Sequence, residues 1–129
     1  MTANTTLFHS LRYRDAVAAL DYLAAGLGFD RAAAHVSPDD PTRVDHAQMS
    51  WPGGGGIMFG SASGDASTGV AFAYLVVAED ADVDRLHHRA LEHGFTTVRE
   101  PADMDYGGRG STVADPEGNQ WSLGSYPGE

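Results

Sequence analysis

The feature that most narrows what this chain can fold into is an internal echo. Displaced by 66 residues, Val17 falls on Val83, Leu20 on Leu86, Ala24 on Ala90, Gly28 on Gly94 and Phe29 on Phe95. A helical stripe, the glycine that stops it and the aromatic residue that opens the next segment coincide together, which predicts one supersecondary unit used twice. With 129 residues, 42% of them hydrophobic, there is room for a single core and not for two independent ones. The expectation is one domain, 1–129, made of a module over 5–60, a linker over 61–69 and a second module over 70–126.

Each module reads the same way. Thr6 to Tyr13 alternates as a strand, with Leu7, Leu11 and Tyr13 on one face and Phe8, Ser10 and Arg12 on the other. Asp15 is placed to cap a helix whose apolar positions run from Ala16 to Leu27, and Gly28 supplies its left-handed stop. Phe29 to Val36, Val44 to Trp51 and Ile57 to Gly60 follow as strands, the last two joined across Pro52 to Gly56. Ser61 to Gly69 is small and polar, as linkers are. Val70 to Ala78 then restarts the pattern: a strand, a helix capped by Asp80 or Asp82 and carrying Val83, Leu86, Ala90 and Leu91 up to Gly94, and strands at Thr96 to Arg99, Gly110 to Ala114 and Gln120 to Tyr126. The fold class is α+β, β-α-β-β-β twice over.

Composition removes several functions. There is no cysteine, so disulfides, thiolate nucleophiles and zinc-thiolate sites are excluded. Eighteen acidic against eight basic side chains give a net charge of −10, which repels phosphate backbones and anionic lipid. Neither nucleic acid nor a membrane is an expected partner. The opening MTANTTLFHSLRYRD has no basic run leading into an apolar one, and no stretch of about 18 apolar residues occurs. The expected location is the cytoplasm. No spacing singles out a Ser, His and acid together, and the four glycines at 53–56 lack the lysine and following helix of a phosphate loop.

LRYRDAVAALDYLAAGLGFD in the first module and TVADPEGNQWSLGSY in the last hairpin, with YGGRGSTV before it, resemble the vicinal-oxygen-chelate superfamily, which includes glyoxalase I, extradiol dioxygenases and the bleomycin-resistance proteins. The resemblance runs over nearly the whole chain. It implies an open barrel in which each half curls into a cup of four strands, two cups enclose the site, and two copies pair as a homodimer.

It also implies where a divalent metal would be held in the catalytic members: on the first and last strands of each half. Carried over one by one, those places fall on Phe8, on Met58, on Phe72, Ala73 or Tyr74, and on Ser122. None supplies the imidazole or carboxylate that such metals take. No cofactor is therefore expected. His9 stands beside Phe8, but alternation turns it to the side of Leu7 and Leu11, under the helix. His46 and Gln48 project into the cup and read as polar lining. His35, His87, His88 and His93 read as surface residues.

The remaining cup is lined by Phe8, Ser10, Arg12, His46, Gln48, Ser50, Met58, Gln120 and Ser122, the mixture of apolar wall and scattered polar groups that small-ligand pockets use. Trp51, Tyr106 and Arg109 lie at strand ends or on the YGGR loop, where they would either stack a flat ligand and pair an anion or close the dimer contact. Trp121 points toward the helix side. Three readings stay open: metal-free binding of a small molecule, such as sequestration of an antibiotic or metabolite; lyase, isomerase or dioxygenase chemistry on a metal displaced to His9 or His46; and an interaction module without a ligand.

Overall fold

A computed structural model describes residues 5–64 and 67–129. Residues 1–4 of the expected domain, and Asp65 and Ala66 of the expected linker, lie outside the described residues. The elements run β1 (Phe8–Tyr13), α1 (Ala16–Tyr22), β2 (Asp30–Ser37), β3 (Asp40–Ser50), β4 (Gly56–Ser61), β5 (Phe72–Val76), α2 (Asp80–Glu92), β6 (Thr96–Asp103), β7 (Arg109–Ala114) and β8 (Gln120–Gly124).

They form two four-stranded sheets of the same topology, β1-β4-β3-β2 and β5-β8-β7-β6, each with one parallel pair at β1·β4 or β5·β8. Both are open, so β1 and β5 are edge strands. The registers show how closely the two halves correspond. Ser10, Met58 and Gln48 form a row across the first sheet, and Tyr74, Ser122 and Thr112 form one across the second. Each pair is 64 residues apart, whereas the helices align at 66, so the two halves differ in the length of the connections between strand and helix.

Local chemistry sets the helix ends. The Asp15 carboxylate accepts from the Ala18 N–H at 3.1 Å, the N-cap expected from the sequence. After Tyr22 the helix widens into a π-helical turn over Leu23–Leu27 and ends at Gly28, whose φ of 90° suits a residue without Cβ. In the second module the helix starts at a different residue from the expected one. Glu79 is the cap, and Asp82 lies inside the first turn with its carboxylate accepting from the Glu79 N–H at 3.0 Å.

The core lies between the sheets and the helices, where Tyr13, Leu23, Leu27, Met49, Trp121 and Leu123 are all enclosed. The helices meet across it. A Cβ on Gly26 would lie 2.7 Å from the Phe95 ring, and the Arg89 guanidinium donates to the carbonyls of Ala24 and Ala25 at the end of the π-helical turn.

One histidine contradicts its sequence reading. His87 is 1% exposed, not a surface residue. It follows Leu86 and stands one turn after Val83, within the apolar stripe of α2. Ser111 and Thr97 each meet one of its ring nitrogens at 2.9 Å, which is how a buried imidazole avoids an unmet polar group. Burial pulls its pKa below the usual value.

Candidate functional site

Alternation divides each strand between the helix-packed core and an outer face. In β1, Leu11 and Tyr13 are buried while Ser10 and Arg12 are exposed; in β4, Ile57 and Phe59 are buried and Met58 is half-buried. The outer face of the first sheet therefore carries Phe8, Ser10, Arg12, His46, Gln48, Ser50 and Met58. On the second sheet the outer positions are Phe72, Tyr74 and Val76, all exposed, with Gln120 and Ser122 half-buried. Phe72 is 69% exposed, a large apolar side chain with nothing over it. Tyr74 lies flat across Gly124, where a Cβ would clash with its ring, and its hydroxyl donates to the Tyr126 carbonyl at 2.7 Å. The Thr112 and Ser122 hydroxyls meet at 2.8 Å.

The chemistry of these rows decides whether a metal fits. Ser10, Met58, Tyr74 and Ser122 hold corresponding places, flanked by Phe8 and Phe72. They offer rings, a thioether and hydroxyls, with no imidazole or carboxylate, so the row does not fit a hard divalent cation. Among the described residues no three or more His, Cys, Asp or Glu converge on a point where an ion could sit. His46 is exposed and stacks beside His35 on β2, ring centroids 6.3 Å apart. His9 is on the other side of the first sheet, its ring 6.2 Å from Trp121 and edge-on to it, so the two histidines do not share a site.

The other expected site residues are dispersed. Trp51 leaves the sheet face: its Nε1–H donates to the Val76 carbonyl at 3.0 Å, and its ring packs 5.1 Å from Phe29. Tyr106, on the loop before β7, is exposed and packs edge-on against Tyr126 at 5.0 Å. Arg109 is engaged: Asp84 takes two of its N–H groups at 2.7 and 3.1 Å and Asp103 a third at 3.2 Å. These bonds push the Arg109 pKa up and the Asp84 pKa down. The structure thus gathers Phe8, Ser10, Gln48 and Met58 on one face, puts Ser122 on the other sheet, and sets Trp51, Tyr106 and Arg109 apart from both.

A cleft of about 610 Å³ is lined by residues of both edge strands, His9 of β1 and Ala73 to Val76 of β5. His9, Phe29, Trp51, Ile57 and Trp121 reach it from the core side and Ala73 from β5. Sequence gives Trp51 a stacking or dimer-contact role and Trp121 a place on the helix side; Phe29 and Ile57 read only as strand residues. Nothing in the sequence signals this cleft, because its walls come from elements far apart in the chain.

Known proteins resemble the chain over nearly its full length. The model of the glyoxalase/bleomycin resistance protein/dioxygenase superfamily matches residues 5–123. Among solved structures, TioX from Micromonospora sp. ML1 is 25% identical, with a TM-score of 0.75 over 94% of this chain and 98% of that one. The fosfomycin resistance protein FosX from Mesorhizobium loti is 15% identical, with a TM-score of 0.67 over 96% and 93% of the two chains, a likeness of fold alone. Uncharacterized proteins of Mycobacterium bovis and Mycobacterium tuberculosis are 49% identical over 43 residues, which is 33% of this chain and 28% and 25% of theirs.

Proposed function

Because the chain belongs to the glyoxalase/bleomycin resistance protein/dioxygenase superfamily, we propose that it binds a small organic molecule without a resident metal ion, holding it against the outer sheet faces of two paired copies. The observation that carries this reading is the row Ser10, Met58, Tyr74 and Ser122. In this reading the four places face one ligand, and they offer it apolar and hydroxyl groups only. Such a lining holds an organic molecule by apolar contact and orients it by a few hydrogen bonds. Gln48 and Ser122 are the polar groups best placed to orient a ligand, and Phe8, Met58 and Phe72 form the wall. Phe72 and Val76, exposed in one chain, also give a second copy apolar surface to cover.

Sequestration of an antibiotic or metabolite is the biological form of this activity, in keeping with the superfamily's bleomycin-resistance members and a fosfomycin-resistance structural neighbour. The cytoplasm is the compartment that suits it. Native mass spectrometry against a set of metabolites and cationic antibiotics tests the reading, alongside elemental analysis after growth with Fe, Mn, Ni and Zn. A one-to-one adduct that Met58→Lys abolishes, with no stoichiometric metal, is the expected result. Stoichiometric metal retained through gel filtration overturns it.

A further inference from the structure

We propose that the cleft lined by both edge strands, β1 and β5, is a second binding site, bordered by the outer-face residues Tyr74 and Val76 but floored by core-side rings, for an uncharged, flat aromatic molecule bearing one hydrogen-bonding group. The cleft's volume, about 610 Å³, lies within the range that small-molecule sites occupy.

Its floor is a cluster of rings. Phe29 stands 5.1 Å from Trp51 and 5.5 Å from Trp121, with interplanar angles of 59° and 68°, so ring edges and faces both meet the opening and a planar guest finds offset and edge-on partners. Trp51 is held in place by its bond to the Val76 carbonyl, a link from the first sheet to the second that fixes one wall of the cleft. The turn at 53–56 forms another wall with no side chains to obstruct a flat ring.

Charge decides the kind of guest. Among the described residues no Asp, Glu, Lys or Arg lines the cleft. An anion would enter a protein of net charge −10 without a cation to meet it, and a cation would be desolvated without a carboxylate. Of the polar side chains in the lining, Trp51, Tyr74 and Ser125 already donate to Val76, Tyr126 and Asp80; His9 differs, its Nε2 being enclosed with no hydrogen-bond partner among the described residues. Burial keeps this imidazole neutral by lowering its pKa. It then presents one N–H and one lone pair, and the broad rotation about its Cβ–Cγ bond can turn either edge toward the cleft. A guest hydroxyl, which donates and accepts, suits both tautomers.

The probe is 2-naphthol, compared with naphthalene-2-sulfonate and protonated 1-naphthylmethylamine, followed by two-dimensional NMR of the full chain. The protein has two tryptophans, so the indole N–H signals report on Trp51 and Trp121 directly. The expected result is that 2-naphthol shifts both indole signals and the His9 imidazole signals, with the two charged analogues at least tenfold weaker. Ala73→Trp, which plugs the cleft, and Leu7→Glu, an exposed substitution at its mouth, each weaken 2-naphthol at least tenfold. Met58→Lys, on the outer face, leaves 2-naphthol binding within twofold, so loss of the sheet-face site and loss of the cleft site are told apart. Equal binding of all three probes, indole signals that do not move, or insensitivity to both Ala73→Trp and Leu7→Glu overturns the proposal.

Discussion

The Tyr13 hydroxyl donates to the Asp115 carboxylate at 2.7 Å across 102 residues of chain, joining the last residue of β1 to the turn between β7 and β8. The same Asp115 oxygen accepts from the Trp121 Nε1–H at 3.1 Å, and the other accepts from the backbone N–H groups of Glu117 and Asn119. Two residues on, the Glu117 carboxylate accepts from the backbone N–H groups of Arg14 and Asp15. The DPEGN turn therefore does more than reverse the chain: its two carboxylates hold the strand-to-helix corner of the other module. Burial, with the negative charge of Asp115 beside it, pushes the Tyr13 pKa far up.

Tyr13→Phe removes one bond to a buried carboxylate and is expected to cost about 1.5–3 kcal/mol. Asp115→Ala strands the Tyr13 hydroxyl, the Trp121 indole and two backbone donors together and is expected to cost more than Tyr13→Phe. Urea unfolding of the two variants checks the order. A smaller loss for Asp115→Ala would show that the carboxylate's own desolvation outweighs its four bonds.

Stability should fall on acidification below about pH 6.5, the ordinary histidine value. His87 and His9 both have lowered pKa values in the fold, each chiefly through burial. In that window the unfolded chain takes up protons that the folded chain refuses, so unfolding free energy rises with pH, by up to about 1.4 kcal/mol per pH unit for each such group. The His87→Leu variant should show a shallower slope between pH 6.5 and 5 in denaturation measured by circular dichroism; an unchanged slope would exclude His87 as its source.

Gly26→Ala should destabilise by about 1–3 kcal/mol, because its new methyl would meet the Phe95 ring at 2.7 Å where the two helices touch. At Gly28 the cause differs: its φ is positive and its surroundings are open apart from Arg89. Alanine there should cost about 1 kcal/mol. Combining Gly26→Ala with Phe95→Leu should recover part of the first loss and none of the second, which thermal unfolding can read.

Phe72→Glu should leave the fold's stability within about 0.5 kcal/mol, since the ring is exposed. If two copies pair through their outer sheet faces, the same change should shift sedimentation toward the monomer. A dimer that sediments unchanged would place the contact elsewhere.

Much of the fold was legible because periodicity is a local property. Alternation in TLFHSLRY separates Leu11 and Tyr13 from Ser10 and Arg12, the spacing in α1 and its Asp15 cap follow from neighbours three and four residues apart, and alternation alone turns Trp121 to the helix side. Residues on a common strand face, such as Phe8 and Ser10, were grouped correctly for the same reason. Trp51, Tyr106 and Arg109 could not be placed, since their partners Val76, Tyr126 and Asp84 lie on other elements and no spacing links them. His87 was misjudged because adjacent histidines on a helix give no sign of which faces inward; Ser111 and Thr97, which make its burial tolerable, are 24 and 10 residues away.

The sequence by itself determined two like units, their strand faces and their helix stops. All of these depend on the order of residue types along one element, where geometry is repetitive. Only the tertiary structure decided that β1 and β5 line one cleft, that Trp51 bridges to Val76, and that Asp115 clasps Tyr13. Those are relations between elements far apart in the chain, set by which apolar surfaces fit together when the two sheets close over one core, and a one-dimensional pattern carries no distance between them.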